Sequence, residues 1–366
     1  MIDSIRQAAR YAARRDRVRA ALQIQGIDAL LVTHAANRYY LSGFELHDPQ
    51  CNESAGALLI TAGGDDRLLT DPRYLDAARR LWPEEGIFIY RGSRNEKLRE
   101  YFLDTVRGVI GFEPSAVCFD TYTALTAAVD GKALTLKPVR GVVEGLRVCK
   151  DADEIAAMER SIALNHHVFA QVPGLLEPGK TEKQLAWEIE KLFRENGASE
   201  LAFESIVAVG PNGALPHAIP GEDRVLDNCP VLVDVGGRLD DYCSDQTRTF
   251  WVGPKPADAF SRALEQVQEA QARAIAVIRP GLPMADAYAV ARGYFEKYGV
   301  EAYFTHGLGH GLGLETHEAP SLSPMGKGEL APGMVVTVEP GLYYPEWGGI
   351  RWEYDILVTE DGCRVL

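Results

Sequence analysis

No run of about 18 or more apolar residues occurs in this 366-residue chain, so no segment reads as a membrane-spanning helix. Positive charge is also scarce: 38 Lys and Arg face 52 Asp and Glu, for a formal net charge of −14. That balance speaks against a phosphate-binding surface, because nucleic-acid affinity comes mainly from basic clusters. The six cysteines (Cys51, Cys118, Cys149, Cys229, Cys243, Cys363) include no C-x-x-C pair. A zinc finger is therefore not expected, and free thiols in a reducing compartment, by default the cytoplasm, are. Internal repeats and low-complexity tracts are absent too. What remains is ordinary globular material, 46% hydrophobic and 25% charged, long enough for about two domains.

The N-terminal stretch carries Arg6, Arg10, Arg14, Arg15, Arg17 and Arg19 in an amphipathic pattern that could mimic an organelle transit peptide. Asp3 and Asp16 interrupt it, and it runs directly into a strand-like segment ending Ala29-Leu-Leu-Val32, so a surface helix is expected. The first ~145 residues alternate strand and helix signals. Strands are expected at Ala29–Val32, Ala57–Thr61, Ile87–Tyr90, Val109–Phe112, Ala116–Phe119 and Ala133–Val139, with helices near 5–24, 72–82, 95–106 and 121–130. This is a small α/β domain without a catalytic constellation. A boundary near Gly145–Lys150 sets the domains at 1–147 and 148–366. Asp151 with Glu154, and Thr181 with Gln184, have capping-box spacing and open two helices. From about 204 onward short β-rich runs dominate, interrupted by helices near 256–278 and 284–298.

Two of these β-rich stretches concentrate acid. Pro230–Phe250 reads as strand, turn, strand, and a turn centred on Leu239-Asp240 would set Asp234 opposite Asp245. Met334–Glu339 and Ile350–Thr359 read as a second hairpin, and centring its loop on Glu346 sets Glu339 opposite Glu353. Like charges facing each other across a sheet are destabilising. Either such acids keep their protons or a cation neutralises them. Between the hairpins lies His306-Gly-Leu-Gly-His310-Gly-Leu-Gly-Leu-Glu-Thr-His317, whose glycines let the backbone approach closely enough for an imidazole to reach a buried centre. Oxygen donors with one imidazole suit Mn²⁺, with Co²⁺ or Zn²⁺ as alternatives. A pair of carboxylate-bridged cations would form a water-activating hydrolytic centre.

At these residues the chain resembles the creatinase-fold, or pita-bread, metallopeptidases, most closely the Xaa-Pro dipeptidases (prolidases) and the aminopeptidase P enzymes. The matching segments are Leu215-Pro-His217, Val233-Asp234-Val-Gly, Tyr242–Phe250, Gly309–Pro320, Val338–Tyr343 and Gly349–Glu353, in that order. Ala29–Thr33 and Asn37–Phe44 look like the family's N-terminal domain. The resemblance implies an α+β protein: a C-terminal pita-bread domain with a curved antiparallel sheet, preceded by a smaller α/β domain used for dimerisation and substrate capping. It implies that Asp234, Asp245, His310, Glu339 and Glu353 bind two divalent metals, with Asp245 and Glu353 bridging them. Glu339 would also shuttle the proton to the leaving nitrogen. His217 and His317 would bind substrate and support the oxyanion. Arg351 would steady a substrate carboxylate or the site itself, and His306 would line the cavity. His47 and Asp48, in the loop Glu45–Ser54, would cap the substrate across a homodimer.

Three departures stand out. The family commonly reads Arg-Ile-Glu-Asp-Thr where this chain has Arg351-Trp-Glu-Tyr-Asp355. Alternation places Asp355 on the ligand face, and Trp352 and Tyr354 on the other. Cys243, beside Tyr242, is expected to be a small buried residue and not a nucleophile. The resemblance implies a small peptide substrate with proline in second position, and the short chain favours dipeptides over longer Xaa-Pro-Yaa peptides. A metal-free creatinase-like hydrolase and a non-catalytic pita-bread binding protein are the other readings; both are usually marked by lost ligands, and all of these positions are filled.

Overall fold

A computed structural model describes residues 2–50, 53–129 and 134–366. The chain forms two compact units, Met1–Arg147 and Val148–Leu366. Cys51, Asn52 and the expected element ends at 130 and 133 lie outside the described residues.

In the first unit, strands β1 (Ala29–Val32), β2 (Gly56–Thr61), β3 (Arg67–Thr70), β4 (Ile87–Ile89), β5 (Gly108–Phe112) and β6 (Leu134–Pro138) form one sheet in the order β4-β3-β2-β1-β5-β6. It is mixed: β1 runs antiparallel to β2 and parallel to β5. All four residues of β1 are buried, as expected of a central strand covered on both faces. One expectation misses here, and two elements were not foreseen. Ala116–Phe119 is not a strand; a turn leads into the helix Phe119–Val129, with the Tyr122 amide donating to the Cys118 carbonyl at 3.0 Å. A four-residue apolar run does not distinguish strand from helix start. The short strand β3 and the helix Ala35–Ser42, which ends at Gly43 with φ +74°, carried too little periodicity to be foreseen.

The second unit contains β7 (Glu200–Leu201), β8 (Ile206–Val209), β9 (Cys229–Asp234), β10 (Gly237–Leu239), β11 (Tyr242–Cys243), β12 (Thr247–Val252), β13 (Gly309–Gly311), β14 (Glu318–Leu322), β15 (Val335–Val338), β16 (Gly341–Tyr344), β17 (Gly348–Arg351), β18 (Tyr354–Val358) and β19 (Cys363–Val365). Its sheets are ordered β11-β10-β7, β12-β9-β8 and β14-β13-β15-β18-β19, with β16-β17 as a separate ribbon. Helices Ala152–Phe169 and Glu182–Glu195 both start on complete capping boxes, at Asp151/Glu154 and Thr181/Gln184. They share a core with Val231 and Val233 of β9. Helices Asp258–Val277 and Met284–Lys297 share another with Val336 and Val338 of β15 and Ile356 of β18. Because side chains alternate along a strand, burying Val231 and Val233 turns Asp234 the other way. Burying Val336, Val338 and Ile356 likewise turns Thr337, Glu339 and Asp355 away from their helices.

Candidate metal centre

The first hairpin turns at Asp240-Asp241, where both residues have positive φ, +51° and +69°. Two such residues in a two-residue loop match the twist of the flanking strands. Leu239 therefore pairs with Tyr242, and Asp234 pairs with Thr247, not with Asp245 as expected. The slip is two residues, and an even slip leaves every side chain on its original face. Asp245 consequently still shares a face with Asp234. Carried one step on, the same register sets Asp245 against Gly236, where a Cβ would lie 1.8 Å from the Ser244 carbonyl oxygen, so only glycine fits. In the second hairpin Val338 pairs with Tyr354 and Gly341 with Arg351. Both ladders share the expected register, which brings Glu339 and Glu353 opposite each other in the gap between them.

These strands converge on one cavity of about 610 Å³ in the second unit, lined by Asp234, Asp245, His310, Glu339 and Glu353 among others. One ligand atom each from Asp245, His310 and Glu353 lies within 4.8 Å of the others. His310 Nε2 stands 3.3 Å from Glu339 Oε1 and 3.7 Å from Asp245 Oδ2. Its Nδ1–H donates to the Gly311 carbonyl at 3.1 Å, and without a metal a protonated Nε2 faces Glu339; giving up that proton would free the Nε2 lone pair for a cation. Gly309 makes the approach possible, since a Cβ there would meet the Thr337 carbonyl at 1.9 Å.

The electrostatics are unbalanced. Burial, then the neighbouring Glu353 and Asp234 charges, pushes Asp245 well above the ordinary carboxylate range. Burial followed by Glu339 and Asp234 does the same to Glu353. Asp234 is raised by burial despite Arg351, and Asp355 reaches about 7, also through burial. Only Glu339 goes the other way: burial opposes it, but His310 beside it and Arg351 nearby hold it at about 2. Several oxygens have no hydrogen-bond partner at all: Asp234 Oδ1, Glu353 Oε1 and Asp355 Oδ1 are buried and unpaired. A buried acceptor without a donor is costly. Hard cations bind oxygen donors of this kind, so the residues present fit divalent metal.

Of the remaining expected residues, His217, His306, His317 and Arg351 also line the cavity. The His317 ring packs edge-on against His310 at 4.1 Å. His306 Nε2 meets the Tyr343 hydroxyl at 2.8 Å and its Nδ1 the Gly307 carbonyl at 2.7 Å. Arg351 is 3% exposed, and each of its three nitrogens has a partner. Its Nη2 donates to Asp234 Oδ2 at 2.6 Å, its Nε to Thr247 Oγ1 at 3.0 Å, and its Nη1 to the Tyr343 hydroxyl and the Pro216 carbonyl. Four of its five N–H donors are thus engaged within the protein. His47 and Asp48 belong to the first unit, where Asp48 Oδ1 pairs with Arg38 at 3.0 Å and accepts the Ala55 amide at 2.8 Å. Cys243 is buried, and burial pushes its thiol to about 11, as befits an inert residue.

Three residues that touch this centre were not anticipated. Thr247 Oγ1 donates to Glu353 Oε2 at 2.7 Å, Thr337 Oγ1 donates to Glu339 Oε1 at 3.2 Å, and Tyr343 links Arg351 to His306. Each lies an even number of residues from an acidic ligand candidate on its own strand or strand pair, so the two-residue period could have identified them.

Residues 156–360 match metallopeptidase family M24, and residues 14–149 match the creatinase/prolidase N-terminal domain. The chain is 31% identical to the Xaa-Pro dipeptidase of Pyrococcus furiosus over 342 residues, 93% of each chain. It superimposes on the Xaa-Pro dipeptidase from Bacillus anthracis with a TM-score of 0.89 and 33% identity, covering 97% of both chains. It also matches the X-Pro aminopeptidase from Thermotoga maritima with a TM-score of 0.81 and 30% identity, covering 93% of this chain and 95% of that one.

Proposed function

The chain belongs to metallopeptidase family M24, and from that premise we propose that it hydrolyses the peptide bond preceding proline, releasing the N-terminal residue. The observation carrying this reading is the convergence of Asp234, Asp245, His310, Glu339 and Glu353 on one cavity, with carboxylate oxygens buried and unpaired. These residues would hold two divalent cations, Mn²⁺ foremost. The cations would supply a water made acidic enough to attack at neutral pH and polarise the scissile carbonyl. Arg351 and Thr247 keep Asp234 and Glu353 aimed, while Thr337 orients Glu339. His217 and His317, exposed to the cavity, donate hydrogen bonds to the oxygen that becomes negative as the carbonyl turns tetrahedral. Glu339 accepts a proton and delivers it to the prolyl nitrogen, which must be protonated to leave as a secondary amine. A homodimer in the cytoplasm completes the proposal, and the five described cysteines, all free, suit that compartment.

A second reading, action on Xaa-Pro-Yaa peptides in place of dipeptides, is favoured by Arg351. A dipeptide brings a carboxylate next to the scissile bond, and the arginine facing the cavity is spent on Asp234, Thr247, Tyr343 and Pro216. Ala-Pro, Ala-Pro-amide and Ala-Pro-Ala, assayed with Mn²⁺, Co²⁺ and Zn²⁺ in turn, test both. Turnover of Ala-Pro above the amide restores the dipeptide reading. Absence of turnover on all three, with metal bound, removes the peptidase assignment.

A further inference from the structure

Glu353 sits at a break in the sheet. The ladder of β15 with β18 ends at Val338 and Tyr354, and that of β16 with β17 ends at Gly341 and Arg351. Between them the only strand-to-strand bond is a long one, from the Trp352 amide to the Pro340 carbonyl at 3.4 Å. Pro340 has no N–H to return the bond, so the ladder cannot close there. The Glu353 amide instead donates to the Thr247 carbonyl of β12 at 3.2 Å, and the carbonyls around it need donors from elsewhere.

Side chains from two other elements provide them. Gln271, 3% exposed on the helix Asp258–Val277, donates Nε2 to the Trp352 carbonyl at 2.9 Å and to the Val338 carbonyl at 2.7 Å. Arg248 of β12 donates Nη1 to the Glu353 carbonyl and to the Thr247 carbonyl. The Arg248 guanidinium lies 4.5 Å from the ring centroid of Trp352 and 4.5 Å from that of Tyr354. Alternation explains the arrangement: Trp352 and Tyr354 flank Glu353 and face the opposite side of the strand. The aromatic pair that departs from the family pattern thus grips an arginine directly behind the acid, and both rings also pack against the core. Stacked, hydrogen-bonded arginine is the case in which lysine is a poor substitute.

We infer that Arg248, held between Trp352 and Tyr354, is a positioning residue that fixes the Glu353 carbonyl and so aims the Glu353 carboxylate into the cavity. The inference rests on the reading of Glu353 as a metal-holding group. Arg248 touches no cavity atom; it acts through the Glu353 main chain.

The test is calorimetric titration of the metal-free full chain with Mn²⁺, alongside thermal melts and Ala-Pro-Ala kinetics. Arg248→Lys should weaken Mn²⁺ binding by roughly 10-fold or more, the range seen when a group orienting a metal ligand is lost. It should lower kcat while leaving KM near its original value. Trp352→Leu and Tyr354→Leu, which keep the arginine but remove a wall, should weaken binding in the same direction and serve if the Arg248 variant does not fold. Tyr354→Phe should recover most of what Tyr354→Leu loses. Unchanged Mn²⁺ affinity in these variants, with only the melting temperature lowered, would reduce the clamp to packing and overturn the inference. Glu353→Gln is the control. If that substitution leaves Mn²⁺ affinity intact, the metal reading of Glu353 fails, and the clamp fails with it.

Discussion

Glu113 in the first unit and Glu353 in the second are both buried carboxylates, 3% and 1% exposed, and burial raises the pKa of each. Their oxygens tell them apart. Glu113 Oε2 accepts the Thr33 and His34 amides, both at 2.7 Å, and Oε1 accepts Asn37 Nδ2 at 2.7 Å. Glu353 has one donor, Thr247, on Oε2 and none on Oε1. It also has further acids around it, with Glu339, Asp234 and Asp355 all raising its pKa. A raised pKa therefore does not separate a structural acid from a functional one. The count of donors does. Glu113 is complete within the protein, whereas the Glu353 cluster keeps buried oxygens for which the protein supplies no donor.

Substitution should break this symmetry in opposite directions. Glu353→Gln is expected to cost several kcal/mol of transition-state stabilisation, roughly 1,000-fold in kcat/KM on a proline peptide. It should leave the metal-free melting temperature unchanged or raised, because it removes an acid that the fold can bury only by protonating it. Glu113→Ala should do the reverse. Three donors lose their acceptor, which costs about 1–3 kcal/mol of stability by chemical denaturation, with the metal affinity of the second unit retained. Equal loss of metal-free stability in the two variants would erase the distinction.

A further effect is in pH. Burial lifts Glu113 to about 7 from its ordinary 4.5, so the folded chain keeps a proton there that the unfolded chain releases. Its contribution to stability is full below pH 4.5 and is lost as pH rises through 7. The stability of the wild type relative to Glu113→Gln should accordingly decline across that window, by about 3 kcal/mol at most. Acids of the second unit titrate in both proteins and cancel in the difference. A flat difference would mean that the three donors hold Glu113 ionised throughout.

The acids could be found in the sequence because strand alternation is a strict period. A two-residue error in the first turn left Asp234 and Asp245 on one face, whereas a one-residue error would have separated them. The capping boxes at Asp151 and Thr181 were legible for a similar reason, since their signal lies within four residues. Contacts between distant segments were not legible. Nothing near Arg351 in sequence announces Pro216 as its acceptor, 135 residues away, and nothing near Trp352 announces Gln271. Arg351 accordingly looked available to a substrate. In the first unit, Ala116–Phe119 offered an apolar run but no period, and the capping contacts at Cys118 decided it for a helix start.

The claim that buried, unpaired carboxylates of the second unit await cations is tested most directly by metal content and turnover measured on one sample. The protein would be assayed on Ala-Pro and Ala-Pro-Ala as isolated, after exhaustive chelation, and after Mn²⁺ is returned. We expect two metal ions per chain, loss of turnover to background as they are removed, and recovery as they rebind. Undiminished turnover by a chain stripped of metal would contradict the account.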